Sequence, residues 1–396
     1  MSDSSSNVPV IVSALRTPIG KYAKALKSFS APQLGSIAIK EVLSRINLDK
    51  NLVNEVIMGQ VLQAGSGQAP ARQAALGAGM PYDISAVTIN KVCGSGLKAI
   101  MLAAQSIRAG DSDIIIAGGQ ESMTNVPYYL KNARFGYFYG NSELIDGVEF
   151  DGLRDAYSGI LMGITGEIIA DKYKITREEA DIFSLRSHKL AINARNNKWL
   201  DDEIIPLTVK SKKGEEIIMF DDGPREDTSV EILSKLKPAF KEGGIVTAGN
   251  ASSINDGAAA VIVMSKSKAQ ELNIEPLATI KDYVTNGVKP ENVMEAPIFG
   301  VKKLMERNKK SIDDIDIVEH NEAFASASVA VQKELNIPEE NFNPRGGAVA
   351  LGHPLGASGA RVLVTLLSEL KRREKNNGIC TVCLGGGNAV SMLVER

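Results

Sequence analysis

Two cysteines and one histidine of this 396-residue chain sit in turns built almost entirely of glycine and small residues. Cys93 lies in Val92-Cys93-Gly94-Ser95-Gly96. His353 ends the run Gly346-Gly347-Ala348-Val349-Ala350-Leu351-Gly352 and is followed by Pro354-Leu355-Gly356, while Cys383 opens Cys383-Leu384-Gly385-Gly386-Gly387. Glycine lets main-chain N–H groups approach a bound molecule closely. A thiol within hydrogen-bond reach of an imidazole is the arrangement of nucleophilic catalysis. Cys93 immediately precedes an expected helix, whose positive dipole end and unpaired N–H groups should lower the thiol pKa. The plain alternative, a small core hydrophobe, fits the flanking small residues less well than access does. His353, bracketed by Gly352 and Gly356, reads as a rigidly held base rather than a satisfied turn histidine. His188 belongs to a charged helix and reads as a surface residue, and His320 takes no role.

Cys380 and Cys383 form a C-x-x-C pair, which alone suggests redox or metal chemistry. Alternation along a buried strand sends the two thiols to different faces, so Cys380 is assigned to the core and Cys383 to function. Asn321-Glu322-Ala323-Phe324, Asn250-Ala251-Ser252-Ser253 and Asn255-Asp256-Gly257 are, taken singly, cap and turn formers.

The elements that must hold these residues occur twice. Val8 to Ala14 reads as a buried strand, and helical spacing runs from about Gln33 to Ile46. After Cys93, Leu97, Ile100, Met101, Ala104 and Ile107 share a helical face that ends at Gly110. Asp113 to Gly119 is then a strand running into a glycine turn. After His353 the order recurs, with Val362, Leu363, Leu366, Leu367 and Leu370 as the stripe and Gly378 to Cys383 as the strand. Two related α/β halves facing each other across a site are expected. Between them lies a helix from Arg177 to Arg195, capped by Thr176 with Glu179 three residues on. The segment Lys210 to Asp227 reads as a polar loop, and the chain rejoins the first half at Gly244 to Asn250.

The bulk composition is that of a globular enzyme. With 44% hydrophobic and 23% charged residues the chain has ample material for a large core. A net charge of −2 gives no case for nucleic-acid binding, and no apolar run reaches membrane-spanning length. The first seven residues carry no basic or arginine-rich targeting pattern and the last three are not Ser-Lys-Leu. Three cysteines do not suggest a disulfide framework. A cytoplasmic protein with reduced thiols is expected.

Together the motifs resemble the thiolase family. The likeness rests on Asn90-Lys91-Val92-Cys93-Gly94-Ser95-Gly96, Ala117-Gly118-Gly119-Gln120-Glu121-Ser122-Met123, Thr247-Ala248-Gly249-Asn250-Ala251-Ser252, Asn255-Asp256-Gly257, Asn321-Glu322-Ala323-Phe324, the glycine run to His353-Pro354 and Cys383-x-Gly-Gly-Gly. It runs in one order from Arg16-Thr17-Pro18 to the C-terminus. The resemblance implies an α/β fold of duplicated βαβαβαββ halves in a five-layer α/β/α/β/α arrangement with an inserted loop domain. Residues 1–120 with 244–272 would form the first half, 121–243 the insert and 273–396 the second half.

By the same likeness, Cys93 is the acyl-accepting nucleophile, His353 its activating base and Cys383 the acid and base of the second half-reaction. Asn321 would hold a water that forms one oxyanion hole with His353, and the N–H groups of Cys93 and Gly385 would form the other. Ser252 matches a serine near the pantetheine arm, Arg225 an arginine beside the adenine, and Met162 and Phe324 residues shaping the acyl pocket. The implied activity is acetyl-CoA C-acetyltransfer, a reversible Claisen condensation. CoA thioesters would be the substrates, with no tightly bound cofactor, no metal, and a homodimer or homotetramer as the assembly.

The nearest alternative is a 3-ketoacyl-CoA thiolase acting on longer chains. A decarboxylating condensing enzyme would carry histidine in place of Cys383. A zinc module using Cys93, Cys380, Cys383 and His353, or an inactive scaffold, are readings of other kinds. The chain departs from the family pattern at Leu161, where many short-chain members carry histidine, at Gln120 and at Arg345.

Overall fold

The computed structural model describes residues 7–211 and 214–396. The first six residues, part of the N-terminus read above as free of targeting signals, lie outside the described residues. The first half alternates strands and helices: β1 (Pro9–Arg16), a helix Ala31–Arg45, β2 (Glu55–Gly59), a helix Pro70–Gly77, β3 (Ser85–Ile89), a helix Ser95–Ala109 and β4 (Ile114–Ser122). After the insert, β5 (Asn255–Ser265) completes it. The second half runs β6 (Ala278–Gly287), a helix Ala296–Asn308, β7 (Ile317–His320), helices Ala325–Leu335 and Leu355–Arg372, β8 (Asn377–Leu384) and β9 (Asn388–Glu395).

The duplication is visible in the pairing. In the first half β3, β2 and β4 are parallel and continue antiparallel through β5 to β1. In the second, β7 and β8 are parallel and continue antiparallel through β9 to β6. The counterpart of β3 is reduced there to one parallel bridge, Val318 with Phe342. The halves share one hydrogen-bonded path, because Val10 pairs with Thr279 and Ile11 with Ala278.

Side-chain alternation turns this sheet into five layers. On β4, Ile114 and Ile116 face a core shared with the outer helix Ala31–Arg45, whereas Ile115 and Ala117 face a second core. That second core contains the helices Ser95–Ala109 and Leu355–Arg372, together with Cys380, Val382 and Met392 of the other half. The opposite face of β8 and β9, with Ile379, Cys383 and Leu393, packs on the helices Ala296–Asn308 and Ala325–Leu335. The order is therefore helix, sheet, helix pair, sheet, helix.

The central helix pair crosses at very short range. A Cβ on Gly96 would lie 2.8 Å from the Ala360 nitrogen and 2.9 Å from the Gly356 oxygen. One on Gly359 would lie 2.5 Å from the Leu97 nitrogen. Both contacts fall at the N-terminal ends of the helices, so the turns that carry Cys93 and His353, each two residues before its helix, lie at the same end of the crossing pair.

The stretch between β4 and β5 is tied down by buried charge. Arg16 at the end of β1 pairs with Glu203 (2.8 Å) and Asp221 (2.7 Å), and Arg345 pairs with Glu203 (3.2 Å) and Glu369 (2.6 Å). Each cation has more than one anionic partner, which satisfies charges that burial alone would penalise heavily. Arg345, a departure from the family pattern, thus serves internal packing. The helix Arg177–Asn196 has its expected capping box at Thr176 and Glu179. Two expectations are corrected. The segment read as a loop from Lys210 begins inside a hairpin, Leu207–Ser211 with Gly214–Ile218, in which polar side chains alternate on an exposed ribbon. His188 is buried, not superficial, because its ring accepts the Arg225 N–H at 3.1 Å.

Substituting Gly96→Ala should separate the central helices. We expect a loss of about 1–3 kcal/mol of stability and a fall in turnover larger than any change in KM, measured by denaturant unfolding and steady-state kinetics.

Candidate active site

The Cys93 turn is shaped by its own neighbours. Val92 adopts φ of +45°, an uncommon conformation for a β-branched residue. It is held by the Asn90 carboxamide, which accepts its N–H at 2.9 Å, and by the Ser95 hydroxyl, which donates to its carbonyl at 2.6 Å. The Ser95 hydroxyl also accepts the Lys91 N–H at 2.8 Å. Gly94 allows this turn to rest on the other half, since a Cβ there would strike Leu384 and lie 2.9 Å from Val390. Cys93 is half-buried as a result.

Two N–H groups, those of Gly385 and of Cys93 itself, point at the Cys93 sulfur. Both favour thiolate, yet burial is the larger influence and pushes the thiol up to about 12. The expectation of a lowered pKa is therefore corrected: the helix start is present, but desolvation outweighs it. Cys383 is buried, with its Sγ 3.8 Å from Met294 Sδ. Burial holds its thiol well above the usual range, and the charge of Cys93 adds to this, so the two sulfurs sense each other. Cys380 lies on the opposite face of β8, in the central core. A zinc set joining Cys380 to Cys383 cannot form across that strand, and no group of three or more His, Cys, Asp or Glu side chains among the described residues could hold a metal ion.

His353 is almost fully buried. Its main-chain N–H is held by Asn255 Oδ1 at 3.1 Å. Its Nδ1 lies 2.6 Å from the Ser358 hydroxyl, which itself donates to the Pro354 carbonyl at 2.8 Å. A hydroxyl already donating can only accept here, so Nδ1 carries the proton and Nε2 is left free to act as a base. Burial, with the positive charge of Arg361, pushes the ring down to about 3. Burial thus favours the neutral form of both the Cys93 thiol and the His353 imidazole. Asn321 is buried at the end of β7, with Nδ2 3.5 Å from each ring nitrogen of His353.

Glu121 fixes the second helix start. Its carboxylate accepts the N–H groups of Val61 (3.0 Å), Leu62 (3.2 Å) and Gly356 (2.8 Å). Burial raises it to about 7 against those three bonds.

The residues matched to CoA binding lie further out. Ser252 donates its N–H to the Ala323 carbonyl at 3.0 Å, so its loop runs beside the Asn321 loop. Phe324 is buried, meets Phe240 edge-to-face with centroids 6.4 Å apart, and shares its cluster with half-buried Met162. Arg225 is exposed, and its charge acts on Lys21 and His188. Gln120 points inward and donates to Gln60 at 2.9 Å. Sequence reasoning missed Ser358, Met294 and Phe240. Ser358 could have been found from its place one turn after His353; the other two carry no local signal.

A thiol under two N–H donors, a second thiol, and an imidazole with a free nitrogen can together transfer an acyl group through a covalent thioester. Such chemistry is that of a CoA-dependent acyltransferase, the class to which this α/β/α/β/α chain belongs. The chain belongs to the thiolase family: residues 9–267 match the thiolase N-terminal domain and residues 274–396 the thiolase C-terminal domain. It is 49% identical over 388 residues, 98% of each chain, to a probable acetyl-CoA acyltransferase of Staphylococcus aureus. The crystal structure of Bacillus anthracis acetyl-CoA acetyltransferase superposes with a TM-score of 0.97 at 41% identity, covering 99% of this chain and 100% of that one. Human mitochondrial 3-ketoacyl-CoA thiolase superposes with a TM-score of 0.96 at 38% identity, covering 98% and 99%.

Because the resting pair is neutral, alkylation of Cys93 by iodoacetamide should accelerate about tenfold per pH unit from pH 6 to 9. A plateau below pH 7 in the rate of modification would instead reveal a thiolate–imidazolium pair. Ser358→Ala should lower kcat by about tenfold while leaving KM unchanged, read from steady-state thiolysis.

Proposed function

We propose that this chain is an acetyl-CoA C-acetyltransferase that joins two acetyl-CoA molecules into acetoacetyl-CoA and CoA, reversibly. In the first half-reaction Cys93 gives its proton to Nε2 of His353 as its sulfur attacks the acetyl thioester. The oxyanion forms opposite the N–H groups of Cys93 and Gly385, the C–S bond to CoA breaks, and Cys383 protonates the leaving thiolate. In the second, the Cys383 thiolate removes a methyl proton from a new acetyl-CoA. That carbon is a weak acid, so the enolate oxygen needs donors, supplied by protonated His353 and a water on Asn321. The enolate carbon attacks the acetyl-Cys93 carbonyl, and collapse releases product and the Cys93 sulfur, which recovers its proton from His353.

The observation that carries this reading is the meeting of the two halves at Cys93, where the Gly94 turn rests on Leu384 and Val390 and the N–H groups of Cys93 and Gly385 face its sulfur. Ser252 and Arg225 would contact the pantetheine and adenine parts of CoA, and Met162 and Phe324 the acyl group, with no tightly bound cofactor. The reading extends to a cytoplasmic homodimer or homotetramer. Support for self-association comes from β3, an edge strand of the sheet with Val87 exposed. No helix among the described residues is long and apolar enough to cross a membrane.

A second reading is a 3-ketoacyl-CoA thiolase for longer chains. Leu161 favours it, as does the likeness to the human mitochondrial enzyme. Thiolysis of acetoacetyl-, 3-ketohexanoyl- and 3-ketodecanoyl-CoA separates the two. Preference for acetoacetyl-CoA, abolished by Cys93→Ala, is expected; preference for the longer substrates would replace the first reading with the second, and no turnover would leave a scaffold. Cys383→Ala should lower kcat by about 10²–10⁴-fold while acyl-Cys93 still accumulates, as detected by intact-protein mass spectrometry.

A further inference from the structure

Behind Asn321 the interior holds a second group of charges that is not directly paired. Glu319 lies on β7 and Asn321 directly after it; the Asn321 N–H still bonds the Thr381 carbonyl of β8 at 3.0 Å, so the two residues share a face. That face meets the helix Leu355–Arg372, from which Arg361 projects. Both Glu319 and Arg361 are buried. Neither carboxylate oxygen of Glu319 has a hydrogen-bond partner, and neither do Nε and Nη1 of Arg361. The remaining terminal nitrogen, Nη2, lies 3.4 Å from Asn321 Oδ1. Elsewhere in the interior Arg16 and Arg345 touch their carboxylates directly.

We infer that Arg361, bridged to Glu319 through ordered water, is the positioning residue that fixes the orientation of the Asn321 carboxamide. Buried polar atoms of this kind are satisfied by water where protein partners are lacking. A guanidinium carries donors only. With the amide reversed, its NH2 group would face the Arg361 NH2 donor to donor. Arg361 therefore turns Oδ1 inward and Nδ2 outward, toward His353, which is the orientation needed for a carboxamide that donates to the water of the enolate hole. Glu319 compensates the cation so that its field on His353 is moderated. Tyrosines, lysines and other titratable groups of the surface play no part in this device; the charged groups facing it are Glu203, Glu322, Glu369 and Arg16.

This inference rests on the proposed role of Asn321, and a double-mutant cycle separates the two. Arg361→Met should lower kcat by about tenfold or more, with KM for acyl-CoA unchanged and Cys93 acylation still detectable. Arg361→Lys keeps the charge and a donor group and should recover part of the loss. In an Asn321→Ala background, Arg361→Met should cost nothing further in kcat, because the group it orients is already gone. Full additivity of the two losses would overturn the inference. Full activity of Asn321→Ala alone would overturn the role of Asn321 itself. Should Arg361→Met not fold, Arg361→Lys carries the same cycle, and additivity there has the same meaning.

Discussion

Everything about the site depends on how closely two helices can approach. Gly96 and Gly359 bring the N-terminal turns of the central helices into main-chain contact. Side chains larger than hydrogen would hold the axes further apart and separate the thiol from the imidazole. The cores on either side then have little freedom, since each strand of the two sheets presents one face to this pair and the other to an outer helix layer. Chemistry is thus located where packing is tightest, which gives rigid donors and little reorganisation during reaction.

Burial also decides the resting charge state. A helix N-terminus and two N–H groups favour a thiolate at Cys93, but removal from water acts on the sulfur more strongly. His353 experiences the same penalty with the Arg361 charge added. In the proposed mechanism a proton therefore moves between them during attack rather than before it. The Ser358 hydroxyl prepares for that by holding Nδ1–H and leaving Nε2 open.

Much of this was legible in the chain. Glycines around Cys93, His353 and Cys383 mark close main-chain approach, and the recurrent order of reactive residue, apolar helix stripe and buried strand shows the duplication. Odd spacing in Cys380-x-x-Cys383 places the two thiols on opposite faces of β8, as the structure shows. What escaped was set by distant partners. The burial of His188 depends on the Arg225 loop 37 residues away, and that of Arg345 on Glu203 and Glu369. The sign of the Cys93 shift was missed because local dipoles are readable from neighbours, whereas desolvation comes from residues hundreds of positions off. The hairpin after Leu207 was hidden by its second strand, where Glu215 and Glu216 are adjacent and Ile217 and Ile218 follow, a pattern without the alternation of a half-buried strand.

The short ladder joining β1 to β6 has a consequence for the history of such a chain. Val10 with Thr279 and Ile11 with Ala278 make the two copies of the repeat one continuous sheet. Once fused in this way, neither copy can drift as an independent module, because each supplies the other's sheet neighbour and half of the reactive groups. The exposed ribbon and loops of the insert carry neither duty, so substitution costs least there. The two copies are unequal at the sheet margin: the first keeps a full edge strand where the second has a single bridge.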